Sequence, residues 1–98
     1  MNEFMSKGIV IGKQESYEYE GKTYYKLPLL LGVPDSDGHF TDKAVVGSAK
    51  GQTPILKDEE IYFGAPIMCT VNVKTFDGKT TYVCSDVQIL EKKTKVEK

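Results

Sequence analysis

The chain has no arginine and no tryptophan, one histidine (His39) and two cysteines (Cys69 and Cys84). Each shortage narrows what it can do. All 13 basic residues are lysines, so the bidentate guanidinium fork that reads guanine edges is missing. Lysine makes point-charge contacts to phosphate, which hold a strand without reading its sequence. The formal net charge is −1. A broadly basic surface is therefore excluded, and any positive patch must be local. With one histidine and no Cys-x-x-Cys pair, the usual zinc ligand spacing is absent.

Catalytic signatures are absent too. There is no nucleophile elbow and no phosphate-cradling glycine loop. The acidic run Asp58-Glu59-Glu60 offers sequence neighbours that need not converge on one point. Asp35, Asp37 and Asp42 surround turn chemistry without the length or closing glutamate of a calcium loop. His39 reads as a surface residue. No enzymatic activity, metal, cofactor or small-molecule substrate is expected.

Nothing approaches the roughly 20 apolar residues of a membrane span; Leu29-Leu30-Leu31 sits in too short a run. Met1-Asn2-Glu3-Phe4-Met5 shows no basic region followed by a hydrophobic one. A cytoplasmic protein with no membrane partner and reduced thiols is expected. A length of 98 residues allows one domain. That domain is expected over 1–90, with 91–98 a disordered charged tail.

What is present is a pattern of short strands. Tyr17-Glu18-Tyr19-Glu20-Gly21-Lys22-Thr23-Tyr24-Tyr25-Lys26 reads as a hairpin reversing at Glu20-Gly21. Tyr19 then faces Lys22, Tyr17 faces Tyr24 and Glu15 faces Lys26. All six lie on one face, because side chains alternate along strands. Rings beside ammonium groups suit nucleobases and phosphates. The alternative is a cross-strand tyrosine pair that only stabilises the hairpin. Asp77-Gly78 marks a second hairpin, pairing Val71 with Cys84. Phe76 should point outward with Lys74 and Lys79, an odd choice for a solvated turn. It could stack a base, pack on a partner subunit or cap the barrel end.

Strands are expected at about 7–19, 22–33, 40–49, 65–75 and 79–90. Gly8 and Gly12 predict a bend in the first. Pro28 predicts an unpaired or bulged section in the second. A switch of apolar parity from Cys84 to Val87 and Ile89 predicts a bulge in the fifth. Leu56 to Glu60 has room for one helical turn. Five strands with these hairpins predict an all-β fold, a five-stranded Greek-key oligonucleotide-binding (OB) barrel with projecting hairpins. An SH3-like barrel is the structural alternative.

From about 7 to 91 the order of features resembles the gene-five-type single-stranded DNA-binding proteins of filamentous phages. The likeness lies in Glu20-Gly21-Lys22-Thr23-Tyr24 followed by Leu27, in Ala44-Val45-Val46, and in Gly64. It continues in Val71-Asn72-Val73-Lys74-Thr75-Phe76-Asp77-Gly78 and Asp86-Val87-Gln88-Ile89-Leu90. The resemblance implies a cooperative two-fold homodimer that binds single strands without sequence preference. It assigns Tyr24 as the stacking tyrosine of a projecting wing and places Phe76 in a DNA-facing loop. The family's wing arginines are missing here, and a groove aromatic of the family falls at about Gly32.

The sequence therefore predicts a protein that coats and protects single-stranded DNA during replication, with RNA as a second possible ligand. Tyr17, Tyr19, Lys22, Tyr24, Lys26, Lys74, Phe76 and Lys79 are the expected contacts, and the lysines should form a local positive track. The alternative function is a small SH3-like protein-interaction module, with its tyrosines lining a peptide groove.

Overall fold

A computed structural model describes residues 3–92. Its strands are β1 (Glu3–Val10), β2 (Glu15–Tyr19), β3 (Lys22–Pro34), β4 (Phe40–Ala49), β5 (Pro66–Phe76) and β6 (Lys79–Ile89). They form one sheet in the order β1-β5-β6-β4-β3-β2, and a further β1–β3 pairing closes five of them into a barrel. β4 and β6 run parallel; the other neighbours are antiparallel. Counting β1 and β2 as one bent strand, this is the OB topology, not the SH3-like alternative. Among the described residues, no helix is long and apolar enough to cross a membrane. Of the tail expected at 91–98, residues 93–98 lie outside the described part.

The long first strand expected over 7–19 is two strands. It starts earlier, at Glu3, and breaks between Ile11 and Gln14. Two glycines let the chain lie close against β3, Gly8 within β1 and Gly12 in the break itself. A Cβ on Gly8 would sit 2.5 Å from the Leu30 carbonyl oxygen, and one on Gly12 would sit 2.8 Å from the Pro28 ring. Only a bare backbone can approach β3 that closely. Ile11 N–H donates to the Pro28 carbonyl at 3.1 Å. The missing donor of Pro28 thus coincides with the interruption, while its other side stays in register with Val46 of β4.

The core follows from alternation. Leu27, Leu29 and Leu31 of β3 are fully buried, with Val10, Ala65, Ile67 and Val71. Burial of each leucine contributes about 1.5–3 kcal/mol. The bulge predicted in the fifth strand is present. The β5–β6 register slips between Met68 and Thr70, and Asp86 takes φ 52°. Val87 and Ile89 therefore return to the core. Cys69 and Cys84 are free, buried thiols. Donating its hydrogen bond to Cys69, followed by burial, pushes the Cys84 thiol well above its usual range.

The connection from β4 to β5 holds one 3₁₀ turn, Asp58–Glu60. Ile55 and Leu56, just before it, are buried. Gln14, in the break of the first strand, clamps this segment. Its side-chain oxygen accepts from Ile55 N–H at 2.7 Å, and its amide donates to the Leu56 carbonyl at 2.8 Å. One side chain thereby satisfies backbone groups that would otherwise be orphaned at a barrel end.

Candidate nucleic-acid interface

β2 is exposed along its whole length and pairs only with β3, so the β2–β3 hairpin projects beyond the barrel. Its register is Glu15–Lys26, Tyr17–Tyr24 and Tyr19–Lys22, as the turn chemistry predicts. Glu20 and Gly21 both have positive φ, 52° and 77°. That is the signature of the primed two-residue turn, which matches strand twist. The Tyr17 and Tyr24 rings lie 5.8 Å apart and tilted by 32°. Lys26 Nζ lies 5.8 Å from the centre of the Tyr17 ring and 3.8 Å from a Glu15 carboxylate oxygen. Tyr19, at 62% exposure, and Lys22 are exposed at the tip.

The β5–β6 hairpin uses the same turn, with Asp77 at φ 53° and Gly78 at φ 75°. Phe76 pairs with Lys79, and Lys74 with Thr81. Phe76 is 80% exposed, so it does not cap the barrel.

Register decides which surface these side chains share. Leu27, Leu29 and Leu31 point inward, so the even-numbered residues of β3 point outward. Their partners on β4 are Ser48, Val46, Ala44, Asp42 and Phe40. Ser48 in turn faces Val83 of β6, which faces Asn72 of β5. Lys74, Phe76 and Lys79 therefore share the outer surface with Tyr24 and Lys26. They do not form one cluster with them. From the row Lys26–Ser48–Val83–Asn72, the β2–β3 tip leaves toward the end of β4, and the β5–β6 tip toward its start. Between them lies the outer face of β3 and β4, where Val46 is 54% exposed.

The sequence reading missed two exposed phenylalanines, one of them on this surface. Phe40 is 53% exposed and packs nearly perpendicular to Phe4, with ring centres 5.8 Å apart. Its ring covers Gly32, whose Cβ position would be 3.6 Å from Phe40 Cδ2. Phe63, at 77% exposure, lies away from these strands in the loop before β5. Phe40 was legible only as the first residue of a strand; its neighbours depend on long-range pairing.

The acidic turn resolves differently from the sequence grouping. Asp35, Asp37 and His39, rather than Asp42, bring ligand atoms within 4.8 Å of one another, all exposed. The Asp35 carboxylate is occupied by the backbone N–H groups of Asp37 and His39, each at 2.9 Å. That is a side chain stabilising its own turn.

No protein-family model and no curated protein matches the chain. Solved structures do. The dimeric N-terminal domain of PriB from Thermoanaerobacter tencongensis aligns with TM-score 0.52 and 14% identity, covering 93% of this chain and 98% of that one. The small single-stranded DNA-binding protein from Streptomyces coelicolor aligns with TM-score 0.51 and 13% identity, covering 89% and 92%. At such identities the likeness is one of fold: this chain shares the OB barrel of these bacterial proteins.

Proposed function

We propose that the chain binds single-stranded DNA without sequence preference, stacking bases on its exposed rings and neutralising phosphates with lysines. The observation that supports this most is the projecting hairpin, where Tyr17, Tyr24 and Lys26 share one outward face with Tyr19 and Lys22 at the tip. Aromatic platforms beside cations hold single strands in OB domains. The likeness to the Streptomyces single-stranded DNA-binding protein supports the same reading. Phe76, Lys74 and Lys79 form the second contact group on the same outer surface. RNA is a second ligand of the same chemistry, since the rings and lysines offer no means of rejecting a 2′-hydroxyl. The reading extends to coating and protecting single strands during replication, as the gene-five-type resemblance implies.

Titration with oligo-dT at two salt concentrations, followed by tyrosine fluorescence, tests the binding. With no tryptophan in the chain, the signal comes from the tyrosines. Binding that weakens with salt supports the reading, and no binding at low salt ends it. A homodimer is part of the same proposal, because one small barrel offers a short groove and closed two-fold dimers are the commonest assembly. The dimeric PriB domain favours it. Light scattering at tens of micromolar that returns the monomer mass, 10.9 kDa, would remove the dimer and leave the binding untouched.

A further inference from the structure

The outer face of the barrel has a second aromatic site at the far end of β3 from the tyrosine hairpin. A shallow groove of about 440 Å³ is lined by Met5, Lys7, Gly32, Phe40, Asp42 and Met68. Register places these residues on the outer surface. Gly32 pairs with Asp42, Pro34 with Phe40, and Lys7 with Met68. Met5 is 63% exposed and Phe40 53%. The perpendicular contact with Phe4 holds the Phe40 ring in place, while more than half of its surface stays open to solvent. A fixed aromatic ring with an open surface beside a lysine is the arrangement that receives a nucleobase and its phosphate.

We propose that Phe40 is a base-stacking residue and that this groove, with Lys7 at its wall, is a second nucleotide-binding subsite. The inference rests on the proposed single-strand binding. Continuity singles out this occupant. The groove opens onto the same outer face of β3 and β4 that begins at Tyr24 and Lys26 and passes Pro28 and Val46. The β5–β6 tip, with Phe76 and Lys79, leaves the barrel in the same direction along β4. A strand following the outer face from the tyrosines arrives at Phe40.

The span sets a length requirement. Tyr24 and Pro34, the partner of Phe40, are ten residues apart on β3, which is about 33 Å at the usual strand rise. At the stacked rise of about 3.4 Å per nucleotide, roughly ten nucleotides bridge it. Four nucleotides stretched to twice that rise reach only about 27 Å. A hexadecamer therefore engages both ends, and a tetramer only one.

Two variants test this with dT16 and dT4. Phe40→Trp introduces the only tryptophan of the chain, and its emission should be quenched as dT16 binds. Phe40→Ala should weaken dT16 binding by about 5- to 150-fold, the loss of one stacked base. Binding of dT4, read by tyrosine emission at the hairpin, should change by less than twofold in Phe40→Ala. If tyrosine emission reports dT16 binding while the tryptophan stays unquenched, the subsite is overturned. It is equally overturned if Phe40→Ala leaves dT16 affinity intact but converts a dimer to a monomer, since a second copy would then cover the groove. If dT16 perturbs neither tyrosine nor tryptophan, single-strand binding itself fails, and the two failures are distinguishable.

Discussion

The two hairpins are built on the same turn and present opposite kinds of surface. Both reverse through two residues of positive φ, Glu20-Gly21 and Asp77-Gly78, and both place an aromatic and lysines on the outer side of the barrel. In the β2–β3 hairpin the side chains engage one another: ring against ring, Lys26 over Tyr17, and Lys26 with Glu15. In the β5–β6 hairpin Phe76 stands 80% exposed, and among the described residues neither Lys74 nor Lys79 joins an ion pair. Internal contacts hold a ring in one orientation before a ligand arrives, so less entropy is lost on binding. They also withhold part of the charge. The first hairpin is held by its own contacts, and the second is an open pair of groups that the proposed ligand would have to order.

The largest expected effect breaks the comparison at its aromatics. Tyr24→Ala should weaken single-strand binding by about 1–3 kcal/mol, and Phe76→Ala by a similar amount. Stability should separate them. Tyr24→Ala also removes a cross-strand aromatic pair, which costs about 0.5–1.5 kcal/mol, whereas Phe76→Ala should leave the denaturation midpoint unchanged. Oligo-dT titration and urea denaturation of the two variants together check this. Equal stability losses would mean that Phe76 has a structural role.

Much of this difference was out of reach of the sequence. Turn chemistry and alternation gave the pairings next to each turn residue by residue, from Tyr19–Lys22 to Glu15–Lys26 and as far as Val71–Cys84, because those contacts are local. The bounds of β4, Phe40 to Ala49, were legible for the same reason. Non-local features were not. Ser6 is a polar residue in a buried position, and its hydroxyl donates to the Gly32 carbonyl across the β1–β3 contact. That polar residue hid the N-terminal part of β1. The Gln14 clamp joins residues more than forty positions apart, and no pattern in either segment announces it. The two lysine groups read as one track in sequence. The parallel β4–β6 pairing sends them in opposite directions, and only topology shows that.

The second effect concerns charge. Changing Lys22, Lys74 or Lys79 to glutamine should lower the salt slope of binding by about 0.7 for each phosphate no longer neutralised. Lys26→Gln should lower it less, because Glu15 already neutralises part of that ammonium. Affinities of the four variants over a salt series give the slopes. Four equal reductions would show that the ion pair opens fully when a strand binds.

A smaller effect separates the turns themselves. Asp tolerates the left-handed region, and Glu does so less readily. Glu20→Asn should therefore recover part of the roughly 1–2 kcal/mol that L side chains lose there. Asp77→Asn should change stability by much less. Thermal denaturation of both variants measures the difference. A neutral Glu20→Asn would mean that the hairpin relaxes the strain by some other route.

The smallest effect acts on the engagement that sets the first hairpin apart. Glu15 stands 3.8 Å from Lys26 Nζ, with 68% of its side chain exposed and 43% of the lysine's. An exposed pair of this kind contributes about 0.2–1 kcal/mol, so its removal should cost the fold little. In the proposed complex the same carboxylate would repel a phosphate backbone passing over the tyrosines, and it occupies the ammonium that would meet it. Glu15→Gln keeps the shape, removes the negative charge and leaves Lys26 above the Tyr17 ring. Single-strand affinity should rise by a few-fold at low salt, and the gain should fade as salt screens the charges. Stability in urea should fall by no more than the worth of the pair. An affinity that drops in Glu15→Gln would mean that the ion pair positions Lys26 for phosphate, and that pre-organisation outweighs the free charge at this hairpin. The contrast with Lys74 and Lys79, which have no such pair among the described residues, would then be the reason for the first hairpin's internal contacts.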